Sequence, residues 1–193
     1  MDYDKLHKAV RLYLEAIGED PDREGLKDTP KRVAEAATVL FAGIEKPITC
    51  QPTCDPGLYQ GQMVAIRHIP FYSVCEHHLL PFFGEAQILY IPSDQGVLGF
   101  SGPAKILGQL AARPQLQERI TDQLADAIME MARPQGVLVM LEAQQLCMTM
   151  RGLSQPNTRT LTQATRGLLS TSTEKKMEAL TSLRLGSDTA HLV

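Results

Sequence analysis

The chain has 193 residues, with 19 Lys and Arg against 22 Asp and Glu, for a net charge of −3. That length suits one folded domain with a short appendage, and the charge balance excludes a protein held to nucleic acid by bulk electrostatics. The opening MDYDKLHK is acidic where a secretory leader would be apolar, no apolar run approaches the ~20 residues of a membrane span, and the expected address is the cytoplasm.

Residues 3–17 predict an amphipathic helix, because Tyr3, Leu6, Val10, Tyr13, Leu14 and Ile17 recur at steps that hold one helix face. A turn-rich stretch, EDPDREGLKDTP, follows. Thr29-Pro30 reads as an N-cap with proline at the first helical position. It opens a second helix faced by Val33, Ala37, Leu40, Phe41 and Ile44, with Lys31, Arg32 and Glu35 on its solvent side. Residues 47–61 carry Pro47, Pro52 and Pro56-Gly57 and read as a linker.

The period then changes. Segments 62–69, 84–92, 136–143 and 146–153 are short, rich in Val, Ile, Tyr and Leu, and read as strands. Between the second and third lies a helical block, 101–133, in which Leu116, Ile120, Leu124, Ile128 and Met131 step by 4, 4, 4 and 3. Pro114 parts this helix from a shorter one beginning near Pro103. A last helix is expected at 173–184. The order α, α, β, β, α, α, β, β predicts an α+β fold with antiparallel pairs flanking a helical pair. The expected organisation is an N-terminal helical segment (1–46), a linker loop (47–61) and a catalytic domain (62–193).

The chemistry concentrates in FYSVCEHHLLPFFG, residues 71–84. Cys75 and His78 are spaced C-x-x-H, and Cys147 is the best-placed third ligand. Two thiolates and one imidazole would leave one tetrahedral position of a zinc ion for water, as catalytic sites do. His77 could shuttle a proton, and Glu76 is a second candidate for acid–base work. The plainer reading is that Cys75 and Cys147 are buried small hydrophobes. In a reducing compartment the four cysteines are ligands or buried thiols rather than disulfides. Cys50 and Cys54 read as an incidental pair in a Pro-rich loop, with a second metal site or redox pair as the alternative.

FYSVCEHHLLPFFGEAQILYIP, then RPQLQERITDQLADAIME, then LCMTMRG closely resemble the GTP cyclohydrolase I family, and DPDREGLKDTPKRVAEA resembles its N-terminal segment. The resemblance runs from about residue 5 to 169. It implies the tunnelling fold (T-fold), in which an antiparallel sheet carries two helices on one side. It also implies a homo-oligomer, a decamer of two rings with active sites between subunits. The family opens the imidazole ring of GTP at C8 with zinc and water, releases formate and closes dihydroneopterin triphosphate. By position, Cys75, His78 and Cys147 would hold zinc and His77 would move protons. Gln117 and Glu118 would meet the guanine edge, a task suited to a carboxylate that accepts from ring N–H groups. Ser101, Arg32 and Arg151 would contact phosphates or ribose.

Four positions depart from the family pattern. Gly102 stands for a lysine, Lys105 for an arginine, Glu35 for a lysine and Gln145 for a catalytic histidine. Lys105 keeps charge but loses the bidentate fork, and each lost charge-assisted contact costs about 1.5–3 kcal/mol. Gln145 can orient a group but cannot serve as acid or base. These changes favour a zinc hydrolase divergent at its phosphate end, acting on a guanine-like or pterin-like heterocycle. An authentic GTP cyclohydrolase I, with Lys105, Arg113 or Arg119 compensating, is the second reading. A catalytically inactive paralogue that binds a pterin or guanine compound is the third.

Overall fold

A computed structural model describes residues 1–50, 61–94, 97–151 and 157–185. Helix α1 (Tyr3–Ala16) starts where the Asp2 side chain accepts from Lys5 N, satisfying one of the first-turn donors. Helix α2 (Thr29–Leu40) carries Pro30 in its first turn, as expected, but its N-cap is Asp28 rather than Thr29, and no side chain caps it. Leu6, Val10 and Leu14 face inward from α1, and α2 buries the small residues Ala34 and Ala37. The rest of the expected apolar faces is open: Tyr13, Ile17, Val33, Leu40 and Ile44 are exposed. On α2 the buried positions are Pro30, Ala34 and Ala37, and most of the large residues of its expected face are left outside. Beyond α2 the chain docks through Gly43, whose N donates to Ala112 O at 2.8 Å. A Cβ on Gly43 would stand 2.3 Å from Gln109 O, so only glycine permits the approach.

The sheet has five strands, β1 (Val64–Cys75), β2 (Pro81–Ile91), β3 (Pro114–Gln115), β4 (Gly136–Gln145) and β5 (Thr160–Gly167), in the order β3-β1-β2-β4-β5. All neighbours are antiparallel except β1 and β3, whose short pairing is parallel. Helices α3 (Ser101–Ala111) and α4 (Gln117–Ala132) cover one face. Alternation in the strands sends Phe71, Phe82, Ile88, Val139 and Leu141 to that face, against Ile106, Leu110, Ile120, Leu124 and Ile128. Each fully buried aliphatic or aromatic side chain is worth about 1.5–3 kcal/mol, so this layer is the main source of stability.

The α+β expectation holds, and so do the two helices on one face. Three local expectations change. Residues 146–153 are not a strand: β4 ends at Gln145, and Leu146–Thr149 forms a helical turn, α5. Leu, Met and Cys in so short a run carry no period that separates strand from helix. Strand β5 was not anticipated, because its inward positions are Thr160, Thr162 and Ala164 rather than large apolar residues. Finally, the last helix forms where it is expected, as α7 (Thr173–Leu185), but with α6 (Leu168–Thr171) it adds cover on the opposite face, which was not expected. There Leu169, Ala179 and Leu183 pack on Leu89, Ile91 and Leu138. Most of the predicted linker, including Cys54, lies outside the described residues.

Two glycines test the packing. A Cβ on Gly84 would fall 1.9 Å from Glu142 O across the β2–β4 pair, whereas one on Gly108 in α3 meets nothing within 4 Å. Gly84→Ala is expected to lose at least ~2 kcal/mol. Gly108→Ala is expected to gain about 0.5–1 kcal/mol from helix propensity. Shifts of the unfolding midpoint in opposite directions check both.

Candidate active site

Strand β1 ends at Cys75, and a tight turn returns the chain to Pro81. Cys75 N donates to Leu80 O and Leu79 N to Cys75 O, both at 2.8 Å, with Leu79 at φ 53°. The turn thus projects residues 76–79 from one end of the sheet. At that same end Gln145 pairs with Phe82, and α5 carries Cys147 back toward Cys75. The result is a cluster: ligand atoms of Cys75, His78 and Cys147 all lie within 4.8 Å of one another.

The donor set fits a metal. Two sulfurs and one imidazole are the soft ligands that zinc takes in tetrahedral sites, and three of them leave a fourth position open. Burial pushes the Cys147 thiol up from its ordinary value, and the hydrogen bond with Cys75 adds to the rise. A cation between the sulfurs would reverse that balance, because a coordinating thiol is deprotonated. His78 Nε2 accepts a hydrogen bond from Arg151 Nη1 at 2.5 Å. Arg151 is therefore at the cluster, holding a lone pair that a metal could claim.

Glu76 does not face open space. The Arg119 guanidinium donates to both its carboxylate oxygens, at 2.5 and 3.1 Å. That hydrogen bonding holds the carboxyl below its usual range. Glu76 N also donates to Gln115 O at 3.1 Å, and Arg119 Nη1 to Gln115 Oε1 at 3.2 Å. Gln115 is buried and donates onward to Gln123 Oε1 at 3.0 Å. The turn is latched to the first turn of α4. Arg119, considered above as a phosphate partner, is committed to this latch.

A cleft of about 310 Å³ opens beside the cluster, lined by Cys75, His77, Gln117, Glu118, Gln145 and Cys147 among others. His77 is exposed there, its Nε2 standing 3.9 Å from Glu76 Oε1. Glu118 is exposed and has no hydrogen-bonded partner among the described residues. Gln117 is different. It is only 3% exposed, and its Nε2 donates to Leu141 O and Thr160 O, each at 2.9 Å. Its Oε1 accepts from Gln145 Nε2 at 2.7 Å. The Gln117 amide is thus turned into the sheet.

Arg151 stands at the cluster, but the other residues expected at a phosphate end lie elsewhere in the chain. Ser101, Gly102 and Lys105 line a separate cleft of about 680 Å³ with Ile48, Thr49 and Cys50. Arg32 sits on α2 and reaches Asp28 at 3.4 Å, and Glu35 stands 4.0 Å from Lys31. Gly102 has a packing reason to be glycine. A Cβ there would come within 3.1 Å of Cys50 Sγ and 3.3 Å of Leu98 Cβ. Sequence reasoning missed the roles of Gln115 and Arg119. Both lie in the PQLQER run, but Gln115 ends β3 and Arg119 lies in the first turn of α4, so no single period signals the pair.

Comparison with known proteins places this site in a family context. The family model for GTP cyclohydrolase I matches residues 6–184. The GTP cyclohydrolase 1 of Carboxydothermus hydrogenoformans is 50% identical over 188 residues, covering 93% of this chain and 94% of its own. That of Geobacillus kaustophilus is 47% identical over 185 residues, covering 95% and 98%. That of Clostridioides difficile is 48% identical over 181 residues, covering 93% and 95%. Among solved structures, an archaeosine synthase QueF-Like in the apo form matches at a TM-score of 0.45 and 19% identity, over 54% of this chain and 93% of that one.

The cluster predicts the outcome of two substitutions. Cys147→Ala should lose most of any bound metal, since two remaining ligands hold it poorly. Cys50→Ala should keep it, because Cys50 packs on Gly102 in the other cleft. Elemental analysis after exhaustive dialysis reads both, and full metal in Cys147→Ala would remove that residue from the ligand set.

Proposed function

The chain belongs to the GTP cyclohydrolase I family, and we propose that it carries out the reaction of that name on GTP itself, giving formate and dihydroneopterin triphosphate. It is a hydrolase of that family. The observation that carries the finer reading is the Cys75–His78–Cys147 cluster opening on the cleft that holds His77 and Glu118. Relatives near 50% identity across almost their whole length support GTP as substrate over a divergent heterocycle.

Cys75, His78 and Cys147 would hold zinc, and zinc when bound supplies a Lewis acid that makes water nucleophilic near neutral pH. His77 is the proton carrier, since Glu76 is clamped by Arg119 and Gln145 cannot ionise. Glu118 accepts from the N–H groups on the pyrimidine side of guanine, a charge-assisted contact that fixes the ring. Arg151 moves between His78 and a ribose or phosphate oxygen. The chemistry belongs to residues 62–193.

Ser101, Lys105 and Arg32 are proposed to meet the phosphates of a neighbouring subunit's substrate. Within one chain they line a different cleft or lie on α2. That arrangement fits a homo-oligomer, and a decamer is the form we propose. The exposed apolar residues of α1 and α2 and the free edge of β5 are surfaces such an assembly would cover. Light scattering at micromolar concentration should report a species near ten chains, and a monomer would refute the assembly.

A second reading keeps its own observation: Gly102, Glu35 and Gln145 each remove a group useful for GTP. The two readings separate on phosphate dependence. If GTP is the substrate, guanosine and GMP should bind far more weakly, since each lost charge-assisted contact costs about 1.5–3 kcal/mol. GTP should also release formate in step with a pterin absorbance. If GMP binds as well as GTP, or GTP yields no formate, the divergent heterocycle hydrolase is the better description.

A further inference from the structure

Helix α3 carries Gly102, Lys105 and Gln109 at steps of 3 and 4, so the three share one face. The chain arriving from α2 docks against this helix. Gly43 N donates to Ala112 O at 2.8 Å. Further on, Thr49 is held twice by a single side chain: its N donates to Gln109 Oε1 at 2.9 Å, and Gln109 Nε2 donates to its O at 3.0 Å. At the other end of the face, Cys50 Sγ would stand 3.1 Å from a Cβ on Gly102. Residues 48–50 thus form a strap laid along α3 and pinned by Gln109.

A peptide N–H only donates and a peptide carbonyl only accepts, so the Gln109 carboxamide can sit on Thr49 in one way only. Two contacts to one residue reproduce the double exchange of a hydrogen-bonded strand pair, made here by a side chain. They fix both the position and the direction of that stretch of backbone. What the strap lines gives this its consequence. Ile48, Thr49 and Cys50 line the cleft of about 680 Å³ together with Ser101, Gly102 and Lys105 of α3. The spacing between strap and helix is the width of the cleft there, and Gln109 sets it. No short-range pattern signals the pair, because Thr49 and Gln109 are 60 residues apart.

We propose that Gln109 is a positioning residue for the substrate's phosphates: by holding Thr49 it fixes the strap that walls the Ser101–Lys105 cleft, and so sets how well that cleft grips a polyphosphate. This rests on the reading that the cleft receives the phosphates of a neighbouring subunit's GTP. Gln109 itself touches no substrate. Its contribution is pre-organisation, since a wall already held in place loses less freedom when an anion binds beside Lys105. The effect therefore follows the phosphates and not the ring. It belongs to binding rather than to the step at C8, which the same reading assigns to the cysteine cluster.

The test compares metal-loaded wild type, Gln109→Met and Lys105→Met by formate release from GTP. Competition with guanosine, which carries the ring and no phosphate, reads ring binding separately. Metal content, circular dichroism and light scattering are measured alongside. Gln109→Met keeps the length of the side chain and loses both hydrogen bonds. It is expected to raise the KM for GTP about 3- to 10-fold, the size of one net hydrogen bond. Its kcat, guanosine inhibition constant, metal content and assembly size should stay at wild-type values. Lys105→Met should raise the KM as well. Gln109→Glu sets a second acceptor against Thr49 O, should also raise the KM, and carries the test if the methionine variant does not fold. An unchanged KM in the Gln109 variants beside a raised KM in Lys105→Met overturns the proposal and leaves the phosphate reading standing. A fall in kcat, or guanosine binding weakened as much as GTP binding, overturns it too, because the role would then be general structure. If Lys105→Met leaves the KM unchanged, or wild type releases no formate from GTP, the reading of the cleft fails and the proposal with it.

Discussion

The ion pair between Glu76 and Arg119 decides where the rest of the site stands. It joins the turn after β1, which carries Cys75 and His78, to the first turn of α4, which carries Gln117 and Glu118. One wall of the cleft would bind metal and the other would read the ring. Their separation is set by a fork-to-fork contact reinforced by Gln115. The pair is part-exposed, so its value is geometric rather than a large share of stability. Its sign with pH is plain. Arg119 depresses the Glu76 carboxyl below its usual value. The contact is therefore fully present above the unfolded carboxylate range, near ~4.3, and is lost as pH falls through the lowered folded value. At neutral pH the two walls are tied.

Much of this was legible in the sequence, and the reasons differ by element. Helix α4 announces itself by a long run of apolar residues at helical spacing, and burial enforces it: Ile120, Leu124 and Ile128 are fully buried. Cys75 and His78 are close in sequence, so one turn suffices to present them. Cys147 could be named only as a candidate, because its position depends on the register of β4 against β2 and on a helical turn that composition does not signal. β5 stayed hidden since its inner side is spent on hydrogen bonds: Thr162 Oγ1 lies 2.7 Å from Thr121 Oγ1 and 3.2 Å from Gln117 Nε2. Hydrophobic periodicity is blind to a strand held by hydroxyls.

The departures from the family pattern look different once packing is considered. Read as a list, Gly102 and Lys105 are losses of positive charge. Gly102 is also a buried contact in which Cys50 occupies the space a side chain would need. A side chain there would need Cys50 and Leu98 to give by a few tenths of an ångström, so the substitution and the course of residues 48–50 belong together. Gln145 is likewise one half of an amide pair whose other half is anchored to two strands. Both positions have partners that a single aligned residue does not reveal, and both are consistent with a working site of altered detail.

The clefts carry the last consequence. The cysteine cluster and the Ser101–Lys105 cleft are lined by different residues of one chain. A triphosphate is long and strongly anionic, and among the described residues the cysteine cleft offers it few cations: Arg119 is paired with Glu76, and Arg151 stands at the cluster against His78. On the proposed reading, the missing positive charge would come from Lys105 and Arg32 on another surface, with Ser101 beside Lys105 as a neutral hydrogen-bonding group. A second copy of the chain provides all three. Substrate binding and subunit association are then linked by mass action, each favouring the other. Under that proposed linkage the exposed apolar residues of α1 and α2 would serve catalysis as well as assembly, because they would help to hold a donor of charge against an acceptor of the ring.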